Sequence, residues 1–249
     1  MWHVPKNAQN THSLLEPLVS FPNNFVTDFI YTVYNKHIEL PMLNAGSEGC
    51  SCKNDCSDTC DCVQKTIASF RTFGKPCSIV YECGPWCSCS SKCCNKSSQR
   101  GIQKKLAIFR TEGKGLGLHA EEAIPRGSFV CEYVGEVLED KGSPSTYKFA
   151  IGPELVIDAE KYGNVARFVN HSCDGGNVHI ECVSYGHHDG RLRHITMFAA
   201  KDIAASEELT FHYSGSEGRY IFDGDCCCGS DHCCTRLFYG CFSNLDIFD

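Results

Sequence analysis

Cysteine is the residue that most constrains how this chain can fold. Twenty of the 249 residues are cysteine, and eleven of those lie between positions 50 and 94. Such a density indicates either a disulfide framework or a set of metal sites. Because Met1–Lys6 contain no basic stretch followed by an apolar run, we expect no secretory signal. Metal–thiolate sites in a reducing compartment are therefore favoured, with disulfides as the alternative.

Nine of these cysteines fall in two blocks with short, regular spacings. Few large apolar residues lie between Gly49 and Phe70, so this segment cannot build an apolar core. Zinc takes four tetrahedral ligands, and nine thiolates can serve three ions if three sulfurs each bridge two of them. Cys77 and Cys94 are interpreted as non-ligating thiols. The predicted ligands are Cys50, Cys52, Cys56, Cys60, Cys62, Cys83, Cys87, Cys89 and Cys93.

A second, smaller metal site is predicted near the C-terminal end of the sequence. Cys226, Cys228 and Cys233 supply three thiols, one fewer than a tetrahedral site needs. Cys173, on a polar loop, is the candidate for the fourth ligand, and the metal would then clip the tail over the body of the protein. The remaining cysteines of the tail, Cys227, Cys234 and Cys241, are interpreted as non-ligands.

The body of the chain between the two metal sites predicts a mostly β fold. Short runs of β-branched and aromatic residues alternate with turn signals, and helix candidates are few. Phe25–Tyr34 predicts one or two further strands ahead of the first cysteine block. The strands predicted in the body are Leu106–Thr111, Ser128–Val137, Tyr147–Ile151, Leu155–Ile157, Val178–Ser184 and Ile195–Ala199.

The charge of the chain bears on its partners. The formal net charge is −7, and no basic stripe is visible, so we expect no direct sequence-specific DNA binding. An acidic chain suits a basic peptide partner through electrostatic steering, although the charge could also serve solubility alone. No apolar window is long enough to span a bilayer, so no membrane association is expected.

These features together resemble the SET-domain lysine methyltransferases of the heterochromatin (Suvar) type, the histone H3 lysine-9 subgroup. The motifs that carry the resemblance are Tyr81-Glu82-Cys83, Lys114-Gly115-Leu116-Gly117, Glu132–Glu136, Arg167–Cys173 and Glu207–Tyr213. The resemblance implies four regions: a lead-in at 1–45 that packs on the SET domain, a pre-SET zinc cluster at 46–102, a SET domain at 103–214 and a post-SET zinc module at 222–241. It also implies a pseudoknot, in which Arg167–Cys173 threads through another loop.

The resemblance assigns roles to individual residues. Tyr213 would be the catalytic tyrosine, with Tyr133 and Phe211 lining the lysine channel. A phenylalanine at position 211 leaves room for added methyl groups, which implies a di- or trimethyl product. The residues implied to bind the cofactor, S-adenosylmethionine, are Lys114, Gly115, Leu116, Gly117, Tyr147, Arg167, Asn170, His171 and Leu237.

The resemblance implies a histone methyltransferase that acts on the H3 tail or the nucleosome, in the nucleus, on chromatin. The eight residues Glu139–Thr146 are fewer than the family normally places at that wall of the peptide groove, so a non-histone protein lysine remains an alternative substrate. A catalytically inactive zinc scaffold that binds histone tails is the alternative from another functional class.

Overall fold

The computed structural model describes residues 18–23, 25, 28–37, 49–73, 79–142, 144–152, 155–185, 192–213, 220–221 and 224–237. Within these residues the chain is built from short strands, one α-helix of 13 residues (α1, Asp61–Phe73) and three 3-10 turns at Cys94–Lys96, Ser98–Arg100 and Val165–Phe168. In the described part of the chain, no helix has the length and apolar character needed to cross a membrane. The strands, β1 to β18 in chain order, are Val19–Ser20, Ile30–Tyr31, Lys36–His37, Ile79–Tyr81, Leu106–Arg110, Leu116–Ala120, Phe129–Tyr133, Glu136–Glu139, Lys148–Ala150, Leu155–Asp158, Tyr162–Gly163, Asn170–His171, Val178–Ser184, His194–Ala199, Thr210–Phe211, Tyr220–Ile221, Gly224–Asp225 and Arg236–Leu237.

The strands form several small sheets around one apolar core. The larger sheets have the orders β4-β13-β14-β7, β16-β9-β10-β8-β3 and β1-β5-β6, and the two-stranded pairs are β2–β11, β12–β15 and β17–β18. Fully buried side chains such as Leu118, Phe149 and Ile195 lie at the centre of the core. The mostly β fold predicted from the sequence is confirmed.

The segment predicted as one strand from Ser128 to Val137 is two strands, which corrects that prediction. The chain leaves the sheet of β7 and enters the sheet of β8 at Val134-Gly135. A Cβ atom on Gly135 would lie 2.3 Å from the carbonyl oxygen of Asp158, so the crossing is possible because this position has no side chain. β6 (Leu116–Ala120) was not predicted.

The lead-in is woven into the body of the protein. Each of its three strands makes a parallel pair with a strand of a different sheet: β1 with β5, β2 with β11 and β3 with β8. The side chain of Asn35 accepts a hydrogen bond from the Gly135 amide at 3.0 Å, and the Lys36 amide donates to the Gly135 carbonyl at 2.8 Å. These contacts fix the lead-in against the crossing point described above.

The first cysteine block contains a helix that the sequence analysis did not predict. α1 is held to β4 by two side-chain hydroxyls: Ser69 accepts from the Ile79 amide at 2.7 Å, and Thr66 accepts from the Tyr81 amide at 2.8 Å. Since β4 extends the sheet of β13, the cysteine block is fastened to the body through backbone pairing.

A buried carboxylate fastens the end of the cysteine block. Glu82 is buried and accepts hydrogen bonds from the Ser98 amide, the Ser97 and Ser98 hydroxyls and the Gln99 side-chain amide, at 2.8 to 3.0 Å. A buried charge is tolerated when its acceptor sites are filled in this way. The chain therefore leaves the cysteine block along a fixed path towards β5.

Candidate active site and metal centres

The residues predicted to bind the cofactor converge on one cavity of about 420 Å³. It lies where the turn before β6, the 3-10 turn before β12 and the tail between β17 and β18 approach one another. Of the predicted cofactor and catalytic residues, the ones that line it are Lys114, Gly115, Leu116, Tyr147, Arg167, Asn170, His171 and Tyr213. Segments far apart in sequence therefore come together at this cavity.

Two predicted cofactor residues stand apart from this group. Gly117 is not among the lining residues. A Cβ atom there would lie 2.7 Å from the Thr111 side chain and 2.9 Å from the Phe109 ring, so the glycine allows close packing of β6 against β5. Leu237 belongs to β18, but its side chain is outside the described residues. The role of both residues towards the cofactor stays a prediction.

A polar network built on Glu208 holds one wall of the cavity. The Lys114 ammonium donates to both carboxylate oxygens of Glu208, at 2.9 and 2.7 Å. The Asn170 side-chain amide donates to the same carboxylate at 2.9 Å and to the Leu116 carbonyl at 3.1 Å. The Lys114–Glu208 ion pair is only partly exposed to solvent. Together with the two hydrogen bonds of Asn170, it fixes the position of the turn before β6 relative to β12.

A second wall is formed by Arg167, whose guanidinium lies between two aromatic rings. The guanidinium carbon is 3.9 Å from the ring centroid of Tyr147 and 4.1 Å from that of Phe29 in the lead-in. The Nε atom of Arg167 is buried and has no hydrogen-bond partner within the described structure. A buried donor without a partner next to a cavity fits a site that binds a ligand carrying acceptor atoms.

The His171 ring links the cavity to the catalytic candidate. Its Nδ1 atom accepts a hydrogen bond from the Tyr213 amide at 3.0 Å, and the two rings pack with centroids 5.1 Å apart. Burial, followed by the nearby His212 and Lys114 charges, lowers the pKa of His171 to about 4. The ring is therefore neutral near pH 7 and acts as a fixed hydrogen-bonding group.

Phe211, Tyr213 and Tyr133 are the aromatic residues predicted to line the lysine channel. Phe211 is buried and its ring lies 4.9 Å from that of Tyr213. The Tyr213 hydroxyl donates to the Val169 carbonyl at 3.2 Å, and the buried Tyr133 hydroxyl donates to the Tyr147 carbonyl at 2.7 Å. Each tyrosine hydroxyl thus has its proton directed at a backbone carbonyl.

The two blocks of cysteines between Cys50 and Cys93 form a single cluster of sulfur atoms. All nine predicted ligands pack together, with six of them buried. The sulfurs of Cys50 and Cys56 are 3.7 Å apart, those of Cys56 and Cys83 are 3.5 Å apart, and those of Cys62 and Cys87 are 3.6 Å apart. Zinc–sulfur bonds of about 2.3 Å give tetrahedral sulfur–sulfur edges of about 3.8 Å, so these spacings suit zinc.

Burial and crowding also shift the pKa of a thiol in this cluster. Burial, together with the Cys87 thiol, raises the pKa of Cys62 to about 12. Thiolates crowded in this way ionise together when a divalent cation balances their charge. The clustered cysteines can therefore hold zinc, whereas the exposed Cys94 donates from its sulfur to the Cys56 carbonyl.

The predicted second metal site is also assembled. The sulfurs of Cys173, Cys226, Cys228 and Cys233 all lie within 4.8 Å of one another. Backbone amides donate to three of them at 3.4 Å: the Ser230 amide to Cys228, the Thr235 amide to Cys233 and the Cys234 amide to Cys173. Such amide–sulfur bonds stabilise thiolate charge and suit a bound cation. Because Cys226–Cys228 line the cavity, a metal here would fix part of its wall.

Comparisons with known proteins agree with this geometry. The SET domain family profile matches residues 115–214, and the pre-SET motif profile matches residues 12–96. The chain belongs to the SET-domain family.

A relative from Arabidopsis thaliana places this SET-domain protein among the Suvar proteins. It is named as the H3 lysine-9 specific histone-lysine N-methyltransferase SUVH5, and it is 38% identical over 214 residues. The match covers 77% of this chain but 26% of the relative, so the chain spans about a quarter of that relative's length. The predicted resemblance to the heterochromatin-type subgroup is confirmed.

Solved structures show the same SET fold. KRYPTONITE in complex with mCHH DNA, an H3(1–15) peptide and SAH is 32% identical, with a TM-score of 0.73 over 88% of this chain and 51% of that one. The methyltransferase domain of human SETMAR is 29% identical, with a TM-score of 0.70 over 89% of this chain and 93% of that one. DNA is present in the first of these, so our expectation of no direct DNA binding stays a prediction.

Several residues of this SET-domain site were not identified from the sequence. Asp28, Thr146, Phe168 and Asp225 line the cavity, and Phe29 and Glu208 support it from behind. Asp28 and Phe29 come from the lead-in, to which no chemistry was assigned. Glu208 did carry a signal, because it lies within the Glu207–Tyr213 motif, next to the residues chosen as catalytic.

Proposed function

We propose that this protein is an S-adenosylmethionine-dependent protein-lysine N-methyltransferase that modifies the histone H3 tail, at lysine-9, and yields a di- or trimethyl product. The observation that carries the proposal is the position of Tyr213. It lines the cavity that gathers the predicted cofactor residues, and its ring packs on Phe211. The predicted cofactor site and the predicted lysine channel thus share one residue, as transfer between two bound molecules requires.

The residues of the cavity fit the cofactor. Its volume of about 420 Å³ lies within the range of sites for ligands of this size. It contains the buried Arg167 Nε donor, aromatic faces, and both acidic and basic groups, which suit a cofactor with carboxylate, amino and adenine parts. Bound there, S-adenosylmethionine supplies a methyl group on a positively charged sulfur atom.

The protein's own contribution is positioning and desolvation. A free lysine amine has a pKa of about 10.4, and an apolar surrounding disfavours its charged form. Phe211, Tyr133 and Tyr213 supply that surrounding, and the proton leaves to solvent water. The Tyr213 hydroxyl proton is held by the Val169 carbonyl, so the hydroxyl oxygen can accept from the amine and orient its lone pair. Aromatic faces also accommodate a methylated lysine, which remains a cation.

The assignment of the H3 tail rests on charge and on relatives. A net charge of −7 favours a basic peptide. SUVH5 is named as an H3 lysine-9 specific methyltransferase, and KRYPTONITE was solved with an H3 peptide. The segment Glu139–Thr146 runs from the last residue of β8 towards β9 and is shorter than the insert that the family normally places there. A shortened wall of the peptide groove keeps a non-histone protein lysine as the second candidate substrate.

The remaining parts of the proposal concern metals, regions and location. Three zinc ions would be held by the nine-cysteine cluster and one by Cys173, Cys226, Cys228 and Cys233. The lead-in, pre-SET, SET and post-SET regions would be 1–45, 46–102, 103–214 and 222–241. The sulfur spacings and the strand pairs of the lead-in support this division. The protein would act on nucleosomes in the nucleus.

The decisive experiment is methyl transfer from labelled S-adenosylmethionine to a panel of histones, H3 tail peptides and peptides with lysine-9 replaced by arginine. The wild type should label H3 at lysine-9, and Tyr213→Phe should lower kcat by about a hundredfold or more, since an orienting hydroxyl is lost. Tyr162→Phe, at a tyrosine outside the cavity, is the matched control and should retain activity.

Two results would overturn the proposal. Binding of H3 peptide without transfer to any substrate would indicate an inactive scaffold. Transfer to protein lysines outside H3, with no labelling of H3, would support the second candidate substrate.

A further inference from the structure

The post-SET centre contains more sulfur atoms than one zinc ion uses. Besides the four predicted ligands, the Cys234 sulfur lies 3.4 Å from the Cys173 sulfur. The motif that predicted this site gave Cys234 no role, and its side chain is exposed. Its distance to Cys173 is close to the tetrahedral edge of about 3.8 Å expected between two zinc-bound sulfurs.

Two overlapping groups of donor atoms can be drawn at this centre. The first is the predicted set, Cys173, Cys226, Cys228 and Cys233, and the second consists of His171, Cys173, Cys226 and Cys234. In each group all the donor atoms lie within 4.8 Å of one another. Cys173 and Cys226 are common to both, so the two groups describe alternative ways to complete the same centre.

The hydrogen bonds of His171 exclude it as a ligand in the second group. Its Nδ1 atom accepts from the Tyr213 amide, so in the neutral ring the proton is on Nε2. Nε2 lies 3.0 Å from the Cys173 sulfur and therefore donates to it. A nitrogen that donates its proton has no lone pair for a metal ion, so the second group supplies three ligands and needs a fourth thiol.

The coordination number of zinc identifies that fourth thiol. Zinc takes four ligands, and the centre offers five thiols, so Cys233 and Cys234 serve the ion one at a time. The set that contains Cys234 is completed by Cys228, whose sulfur lies within 4.8 Å of those of both Cys173 and Cys226.

We propose that Cys234 is a reserve ligand of the post-SET metal ion that takes the place of Cys233, whereas Cys173, Cys226 and Cys228 are required in both arrangements. The proposal rests on the proposed zinc site. The exchange keeps the ion, and with it the wall that Asp225–Cys228 give to the cofactor cavity. The centre then tolerates loss or modification of Cys233 but not of its other three ligands.

The test is metal binding by single cysteine-to-serine variants of the full chain. Zinc content is measured by mass spectrometry after dialysis, and zinc affinity by competition with a chelator. Cobalt(II) substitution then reports the number of bound thiolates from the sulfur-to-metal charge-transfer absorption. Cys233→Ser should keep all the zinc and the four-thiolate cobalt spectrum, with an affinity within about tenfold of the wild type.

The other variants should separate the roles of the thiols. Cys226→Ser, Cys228→Ser and the double variant Cys233→Ser/Cys234→Ser should each lose about one equivalent of zinc and at least a factor of about a hundred in affinity at this centre. Cys227→Ser, which replaces an exposed cysteine in neither group, is the control for metal binding. Circular dichroism of each variant checks that the rest of the protein is folded.

The outcomes distinguish this proposal from the one it depends on. If Cys233→Ser loses zinc as completely as Cys228→Ser, the reserve role of Cys234 is wrong while the zinc site stands. If the wild type itself holds only the zinc of the nine-cysteine cluster, the post-SET site is wrong and the reserve ligand falls with it.

Discussion

At the scale of single residues, we expect Phe211 to determine how much room the methylated amine has. Its buried ring lies against Tyr213. Phe211→Tyr adds a hydroxyl, and a water bound to it would fill space that a second and third methyl group need. We expect the product to shift from di- and trimethyl towards monomethyl lysine, as measured by mass spectrometry of the H3 peptide. An unchanged product distribution at full turnover would contradict this assignment of Phe211.

Phe29 is expected to act on the cofactor through Arg167. Its ring supports one face of the guanidinium, at 4.1 Å. Phe29→Leu keeps the apolar volume but removes the aromatic face, which is worth about 1 kcal/mol, or about a fivefold change in binding. The KM for S-adenosylmethionine should rise by about that factor, with kcat and the peptide KM little changed, and Phe29→Tyr should restore it. A rise in the peptide KM alone would refute this role.

The residues of the site differ in how far the sequence identified them. Asn170, His171 and Tyr213 belong to contiguous motifs, so their neighbours along the chain made them recognisable. Asp28 lines the cavity and Phe29 lies behind it because β2 pairs with β11, a contact between distant segments that no local pattern encodes. Recognition of their role requires the strand pairing itself.

At the scale of elements, the pairing of β12 with β15 depends on a glycine. Gly176 has a φ of +75°, and a Cβ atom there would lie 2.1 Å from the Thr210 carbonyl oxygen. Gly176→Ala should therefore cost about 1–2 kcal/mol for the left-handed backbone and about 1–3 kcal/mol more for the steric overlap. Thermal unfolding in the presence of zinc measures the loss, at about 2–4 °C per kcal/mol.

Gly175 offers a matched control for this substitution. Its φ is +89°, but a Cβ atom would meet nothing within 4 Å. Gly175→Ala should therefore show the backbone cost alone. Equal melting temperatures for the two variants would mean that the close approach to Thr210 does not constrain this pairing.

The elements also show where the sequence patterns were incomplete. Within α1, Val63, Ile67 and Phe70 follow the i, i+4, i+7 spacing of one helical face, a signal that the density of cysteines obscured. The single strand predicted from Ser128 to Val137 failed for another reason. Its apolar residues continue through Gly135, so the local pattern does not show that the chain crosses there into the sheet of β8. The close approach of Asp158, from β10 of that sheet, became visible only in the structure.

At the scale of the whole molecule, the two metal centres should respond differently to chelation. Most sulfurs of the nine-cysteine cluster are buried, whereas those of the post-SET centre are partly exposed. A chelator should remove about one zinc ion quickly, with loss of cofactor binding, and the others slowly, with loss of the α1 helical signal. Zinc release, cofactor binding and circular dichroism followed together provide the check, and simultaneous loss of all the zinc would contradict it.

The lead-in has a consequence for how such a protein can be rearranged. Its strands β1, β2 and β3 each complete a different sheet, so they join three parts of the body that have no other strand in common with one another. A gene fusion or recombination breakpoint just before Cys50 would remove the strand partners of β5, β11 and β8. Their unpaired backbone groups would then favour aggregation with other chains. A segment of the gene that can be transferred to another protein and still fold must therefore encode the lead-in as well as the two groups of cysteines.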